Sequence, residues 1–247
     1  MRKLMMALGG SLALAAPLAQ ADVVGLGASV NYWDSDLSGT AATNGDAVDI
    51  ENELDLEGDS SANASLYLEH PIPVLPNLRL SYTSIDQSGR GELGLSGFDD
   101  VPAGAEVRSD LELEQLDLTF YYEVLDNWVN LDLGLTARDF SGELVVQQLP
   151  AVPGAAVSKT SVDAVLPMVY LAARFDLPLT GLSIGAEGNA VSYSGDSMHD
   201  YNVYGQYQWS LLQFRAGYRQ LSIDYEDDDD RLDLDLGGPF VSFGVTF

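Results

Sequence analysis

The chain has no cysteine in 247 residues, so no disulfide framework holds it together, and a small stapled extracellular domain is excluded. Cations are scarce as well. Eleven Lys and Arg stand against 38 Asp and Glu, a formal net charge of −27, which leaves no broad basic patch for nucleic acid or an anionic surface. After residue 21 no apolar run approaches the roughly 18 to 20 residues of a transmembrane helix, because charges or glycines punctuate every segment. Any crossing of a membrane must therefore be made by strands.

What is present begins with Met1, Arg2 and Lys3, followed by an apolar stretch over residues 4 to 16 and then Ala19, Gln20 and Ala21. A charged start, a short apolar run and a small-x-small close have the order of a secretory signal peptide, predicting residues 1–21 as signal and a domain over 22–247, with cleavage before Asp22. At the other end Val241, Phe243, Val245 and Phe247 alternate with Ser242, Gly244 and Thr246. Period two with one greasy face is a strand. A final aromatic with apolar residues at alternate positions before it matches the signal read by the outer-membrane assembly machinery, which puts Phe243, Val245 and Phe247 in that role.

The same alternation recurs in segments of about ten residues, the length at which a tilted strand crosses a bilayer. Ten strands are predicted, near 23–33, 61–69, 77–86, 114–123, 128–140, 162–175, 182–193, 199–209, 212–224 and 239–247. The fold class is all-β, a transmembrane antiparallel up-and-down barrel of ten strands, with eight strands and two loop hairpins as the alternative. Short connections at 71–76, 125–127, 177–181 and 210–211 alternate with long ones at 34–60, 87–113, 141–161 and 225–238, as periplasmic turns alternate with outer loops. The connection at 194–198 is the exception, a low rim.

Strand parity then sorts the side chains. Leu66, Leu68, Leu78, Leu80, Tyr82, Leu116, Leu118, Phe120, Tyr122, Leu131, Leu133, Leu135, Phe214 and Tyr218 share an outward face without charge. The inward set holds Glu69, Arg79, Asp117, Asp132, Arg138, Arg174, Glu187, Arg215 and Arg219. Charge in a confined lumen is costly unless paired, so these residues predict arginine–carboxylate pairs across the barrel, serving either as a plug or as a selective constriction. Aromatics sort to strand ends as interfacial belts: Tyr122, Trp128, Phe175, Trp209 and Phe247 at the turn side, Tyr32, Trp33, Phe140, Tyr193 and Tyr201 at the loop side.

The acidic ladder of Asp49, Glu51, Glu53, Asp55, Glu57 and Asp59, and shorter ones at 110–114 and 231–235, read as strand extensions with one acidic face. At Gln115 the faces exchange, because Glu112 and Glu114 share parity with Leu116 and Leu118; either a β-bulge sits there or the membrane ends below it. No ladder has the ligand spacing of a Ca²⁺ loop, so a solvated rim is favoured over bound divalent cations, and no cofactor is expected. His199 adjoins Asp200, but neighbours in a strand point to opposite faces and cannot pair; with Ser197 and His70 they make no nucleophile-and-base set, and no catalytic residue is assigned.

The segments 68–78 (LEHPIPVLPNL), 119–137 (TFYYEVLDNWVNLDLGLTA), 165–168 (VLPM) and 176–194 (DLPLTGLSIGAEGNAVSYS) resemble an uncharacterised family of proteobacterial outer-membrane β-barrels. The resemblance implies an outer-membrane location and the barrel fold, and brings no activity or site residues with it. The expectation is a monomeric barrel with outer-membrane lipids, lipopolysaccharide and the assembly machinery as partners and no nucleic acid. Its role is structural or at the surface; a small cation-preferring channel is the alternative, and an enzyme ranks last.

Overall fold

The computed structural model describes residues 24–43, 46–57, 60–72, 74–95, 97–227 and 230–247; the segment read as a signal peptide, and Asp22, lie outside these. Among the described residues thirteen strands form: β1 (Gly25–Asp34), β2 (Asp36–Thr43), β3 (Asp46–Asp49), β4 (Leu56–Glu57), β5 (Ser60–Glu69), β6 (Asn77–Glu92), β7 (Glu106–Asp126), β8 (Val129–Gln148), β9 (Val157–Asp176), β10 (Leu182–Tyr193), β11 (Asp196–Trp209), β12 (Leu212–Asp227) and β13 (Asp230–Thr246). Ten of them, β1 and β5 to β13, pair antiparallel with their neighbours in order, and β1 pairs back to β13, so the sheet closes. Closure satisfies every strand edge at the level of the belt, which an open sheet in lipid could not do.

All ten predicted strands are present, but they run further than expected. β6 and β7 pair up to Glu92↔Glu106, β8 and β9 up to Gln147↔Val157, and β12 and β13 up to Asp227↔Asp230. The loops expected at 87–113, 141–161 and 225–238 are therefore mostly strand, because the two-residue alternation continues through them. The acidic stretch from Asp49 is the opposite correction. It leaves the strand after Asp49, whose carboxylate accepts the backbone N–H groups of Glu51 (3.1 Å) and Asn52 (2.9 Å), closing a turn before the two-residue β4.

β1 and β2 are one strand in register. β1 pairs β13 from Gly27↔Thr246 to Trp33↔Phe240; after a break at Ser35, β2 resumes from Asp36↔Gly237 to Ala42↔Arg231. At the break Gly238 lies so close to the Asp34 carbonyl that an added Cβ would stand 1.8 Å from its oxygen. β2 then turns back into β3, and residues 50–54 carry Ile50 and Leu54 inward, both buried.

Polarity exchanges sides along the wall, and no bulge is involved. The β6–β7 and β7–β8 registers pass Gln115 without a shift; the one irregularity of β7 is far below, between Glu123 and Leu125. Below Gln115, β7 points Asp117, Thr119 and Tyr121 inward and Leu116, Leu118, Phe120 and Tyr122 outward; above it, Leu111 and Leu113 are buried inside while Glu112 and Glu114 face out. β12 repeats the exchange, from Arg215 and Arg219 inward to Leu221 and Ile223, and β13 passes from Ser242 to Leu236 and Leu234. The belt zone is built inside out, as lipid demands, and the zone beyond it is built like a water-soluble protein.

Candidate functional site

Two layers occupy the barrel, and both rest on this exchange. In the belt zone the inward residues form a charge-bridged plug. Arg138 on β8 is 1% exposed; its Nε and Nη2 each donate to Asp117 at 2.7 Å, and Nη2 reaches across to Asp200 of β11 at 2.8 Å. Arg219 on β12 grips the same Asp200 with Nε at 2.9 Å and Nη2 at 2.8 Å. Lower in the lumen Glu187 lies between Arg79 at 3.1 Å and Arg215 at 3.8 Å. The guanidiniums also stack: Arg219 over Trp33 at 4.6 Å, Arg215 over Tyr204 at 4.4 Å, and Arg79 over Tyr121 and Tyr170 at 5.7 and 5.4 Å. Two-sided pairing with planar stacking is how a buried guanidinium compensates its lost hydration.

Of the nine expected lumen residues, Arg79, Asp117, Arg138, Glu187, Arg215 and Arg219 meet in this network. Arg174 sits apart near the turn end, bound to Asp176 at 3.0 Å. Glu69 accepts from the Tyr121 hydroxyl at 2.9 Å, and Asp132 makes no ion pair among the described residues. Asp200, which holds the centre, was passed over in the sequence as the neighbour of His199. Its parity with Asn202, Tyr204 and Gln206 was the available signal. His199 faces out and is exposed, so the two do not meet, while His70 serves the turn, its ring bonded to the Pro76 carbonyl at 3.1 Å. Trp33 is a correction: it is 1% exposed, its indole N–H donates to the Gly238 carbonyl at 3.2 Å, and it is no belt anchor. Phe140, also buried, belongs to the interior. Trp128 and Trp209 do lie exposed at the turn end.

Above the plug lies an apolar chamber of about 440 Å³. Leu111, Leu113, Phe140 and Leu144 form one wall, and Ile223, Leu232 and Leu234 form the other. Met198 is its floor, resting on Arg138 with Nη1 to Sδ at 3.9 Å, so one side chain separates the apolar space from the ionic layer. Ile50, Leu56 and Phe98 close it from above, and the tip of β2 reaches over to β9 through Thr43 and Thr160, whose hydroxyls are 3.3 Å apart. A second clasp joins Ser158 of β9 to Asp99 at 2.9 Å. The volume falls in the range that small apolar ligands occupy. This chamber is not among the sequence expectations. Its signal was the inner face of the acidic ladders: Leu232, Leu234 and Leu236 alternate with Arg231, Asp233 and Asp235.

Among the described residues no group of three or more His, Asp or Glu is placed to hold a metal ion. Part of the acidic run 226–230 lies outside the described residues. The fold is that of Gram-negative outer-membrane barrels. The outer membrane protease OmpT from Escherichia coli superposes with a TM-score of 0.56 at 8% identity, covering 92% of this chain and 97% of the other. A FadL homologue from Pseudomonas aeruginosa matches at 13% identity with a TM-score of 0.39, covering 92% and 90%. The toluene transporter TodX of Pseudomonas putida matches at 10% with 0.34, covering 92% and 91%. No protein-family model matches the sequence, and no curated protein matches it.

Proposed function

We propose that this chain is an integral surface barrel of the Gram-negative outer membrane, of the proteobacterial type its turns resemble, that receives a small apolar ligand in the chamber and passes no ions. The loop end faces outward, since short turns and both described chain ends share the other side. The observation that carries this reading is the stacking of the two layers. An apolar cavity open to ions would be a poor path for them, and beneath it every arginine of the central network is held by a carboxylate. The role is one of binding and display, without catalysis.

One observation favours the second reading, a small channel. A polar space of about 110 Å³, lined by Ser29, Asn31, Asn63, Ser65, Ser81 and Thr83, runs beside the ionic cluster. Planar-bilayer recording of the refolded barrel decides between them. The expected result is silence from the wild type and cation-selective current from an Arg215→Ala, Arg219→Ala variant, which leaves Glu187 and Asp200 each short of a partner. Steady current from the wild type would replace the binding role with a channel.

A further inference from the structure

The chamber wall is incomplete on one side. β8 and β9 stay paired to Gln147↔Val157, but the β9–β10 ladder ends at Ala190↔Val169, and the β10–β11 hairpin turns back at Ser194 and Gly195. Above that point β9 has a partner on its β8 side alone, while β12 passes its last hairpin rung, Ser197↔Asp224, by three residues to Asp227, its Glu226 N–H donating to the Asp196 carboxylate at 3.1 Å. A notch therefore separates β9 from β12 over the low hairpin. Chamber residues Val162, Leu166, Val191 and Tyr193 lie along it.

The height of the notch matters. Its lower corner is Val169, 61% exposed on the outward face, and Val165 just above is 71% exposed; Tyr193, at the hairpin tip, is 81% exposed. Val169 and Val165 are outward apolar side chains continuous with the belt, so the notch begins where the barrel still faces lipid tails, whereas Tyr193 shares the inward parity of Glu187 and Asn189 and stands at the chamber's edge. Its margins carry charge, with Asp196 in the hairpin rung with Tyr193 along the lower edge, Asp163 on β9 and Asp224 on β12 at the sides, and Glu143 bridged to Lys159 at 2.8 Å. Carboxylates at the exit repel an anionic head group and attract a cation, a bias that the net charge of −27 reinforces.

We infer that the ligand is a single-chain amphiphile with an uncharged or cationic head, which enters sideways from the outer leaflet through the notch between β9 and β12 and leaves its head at the acidic margin. This deepens the chamber reading and rests on it. The chain goes into the apolar space above Met198, and fatty-acid anions are selected against.

The test uses the barrel in nanodiscs of zwitterionic lipid, with the neutral fluorophore N-phenyl-1-naphthylamine as reporter and dodecyltrimethylammonium, dodecanol and dodecanoate as competitors. Because the chain has no cysteine, Tyr193→Cys and Ser88→Cys, the latter exposed on β6 away from the notch, each accept one bulky polyethylene-glycol maleimide. The expected result is displacement by the ammonium and the alcohol, at least tenfold weaker displacement by the carboxylate, and loading at least tenfold slower in Tyr193-modified than in Ser88-modified protein. Equal loading in the two would overturn lateral entry while leaving the chamber in place. Equal affinity for dodecanoate would overturn the charge selection. A wild type with no more reporter signal than empty nanodiscs would overturn the chamber reading itself.

Discussion

Replacing Arg138 with Met separates the two carboxylates it holds, and the structure says they fare differently. Asp200 keeps both bonds to Arg219, at 2.8 and 2.9 Å, whereas Asp117, bonded only through Arg138 among the described residues, is left nearly buried with its charge uncompensated. Breaking one side of a buried pair costs about 3–5 kcal/mol, while replacing the whole pair by apolar or neutral groups of similar size is close to neutral. Arg138→Met alone should therefore lose about 3–5 kcal/mol. Adding Asp117→Asn should recover most of that loss, and adding Asp200→Asn should recover little. Urea unfolding in lipid vesicles, followed by tryptophan fluorescence, measures this. At an m-value of about 2 kcal/mol/M the single variant's midpoint falls by about 2 M. A single variant within about 1 kcal/mol of wild type, or equal rescue by the two second substitutions, would refute the claim that Asp200 is the shared hub and Asp117 the dependent one.

Three further expectations concern the seam, the tryptophans and the outer turn. Gly238→Ala should destabilise the barrel by about 1–3 kcal/mol, because the new Cβ meets the Asp34 carbonyl oxygen at 1.8 Å and that backbone is fixed by the seam; Gly205→Ala, with open space around it, serves as the control in the same urea titration. Brominated lipids should quench the emission of Trp128 and Trp209, which face the belt, and leave Trp33 unquenched; a Trp128→Phe, Trp209→Phe variant that is still strongly quenched would contradict the buried position of Trp33. The Asp49 carboxyl is held below its usual value by hydrogen bonds from the Asn52 backbone and side chain, with burial opposing them and the Glu51 backbone N–H adding to them. A group with a depressed folded pKa stabilises its turn above the unfolded value, near 3.9, and that contribution is lost as pH falls through the folded pKa. Amide exchange of Asn52 should accordingly lose protection below about pH 4 in wild type, and Asp49→Asn should remove that acid-dependent step.

Strand number and facing were legible because lipid imposes one rule on every outward position. Leu116, Leu118, Phe120 and Tyr122 must all be apolar, and the inward residues between them are free to be Asp117 or Thr119. The upper zone obeys the reverse rule, so the apolar positions change parity at Gln115, and a sequence reading alone cannot separate a bulge from a boundary. The register, continuous through Gln115, settles it. The central pairs were only partly legible for a different reason. Arg138 to Asp117 joins neighbouring strands and follows from parity, but Asp200 draws on β8 and β12 at once, and which arginines converge on it depends on the tilt and closure of the barrel. Trp33 was misplaced because its position in the strand fits an interfacial ring, while the cavity beneath Arg219 that takes it is a property of the closed wall.

The continuous register of β1 and β2 against β13 bears on how such a wall is completed. In a minimal barrel the joint between first and last strands is no longer than the bilayer is thick, and here that part consists of the seven rungs from Gly27↔Thr246 to Trp33↔Phe240. Another seven, from Asp36↔Gly237 to Ala42↔Arg231, double the joint beyond the lipid, backed on the inside by the buried Leu37, Leu234 and Leu236. Since the two strands are the first and last of the circuit, no hairpin turn links them, and the joint rests on its rungs alone. Placing half of its rungs in the outer zone, behind a buried apolar lining, clamps the wall from outside, so that thinning or fluctuation of the bilayer acts on only half of the closure.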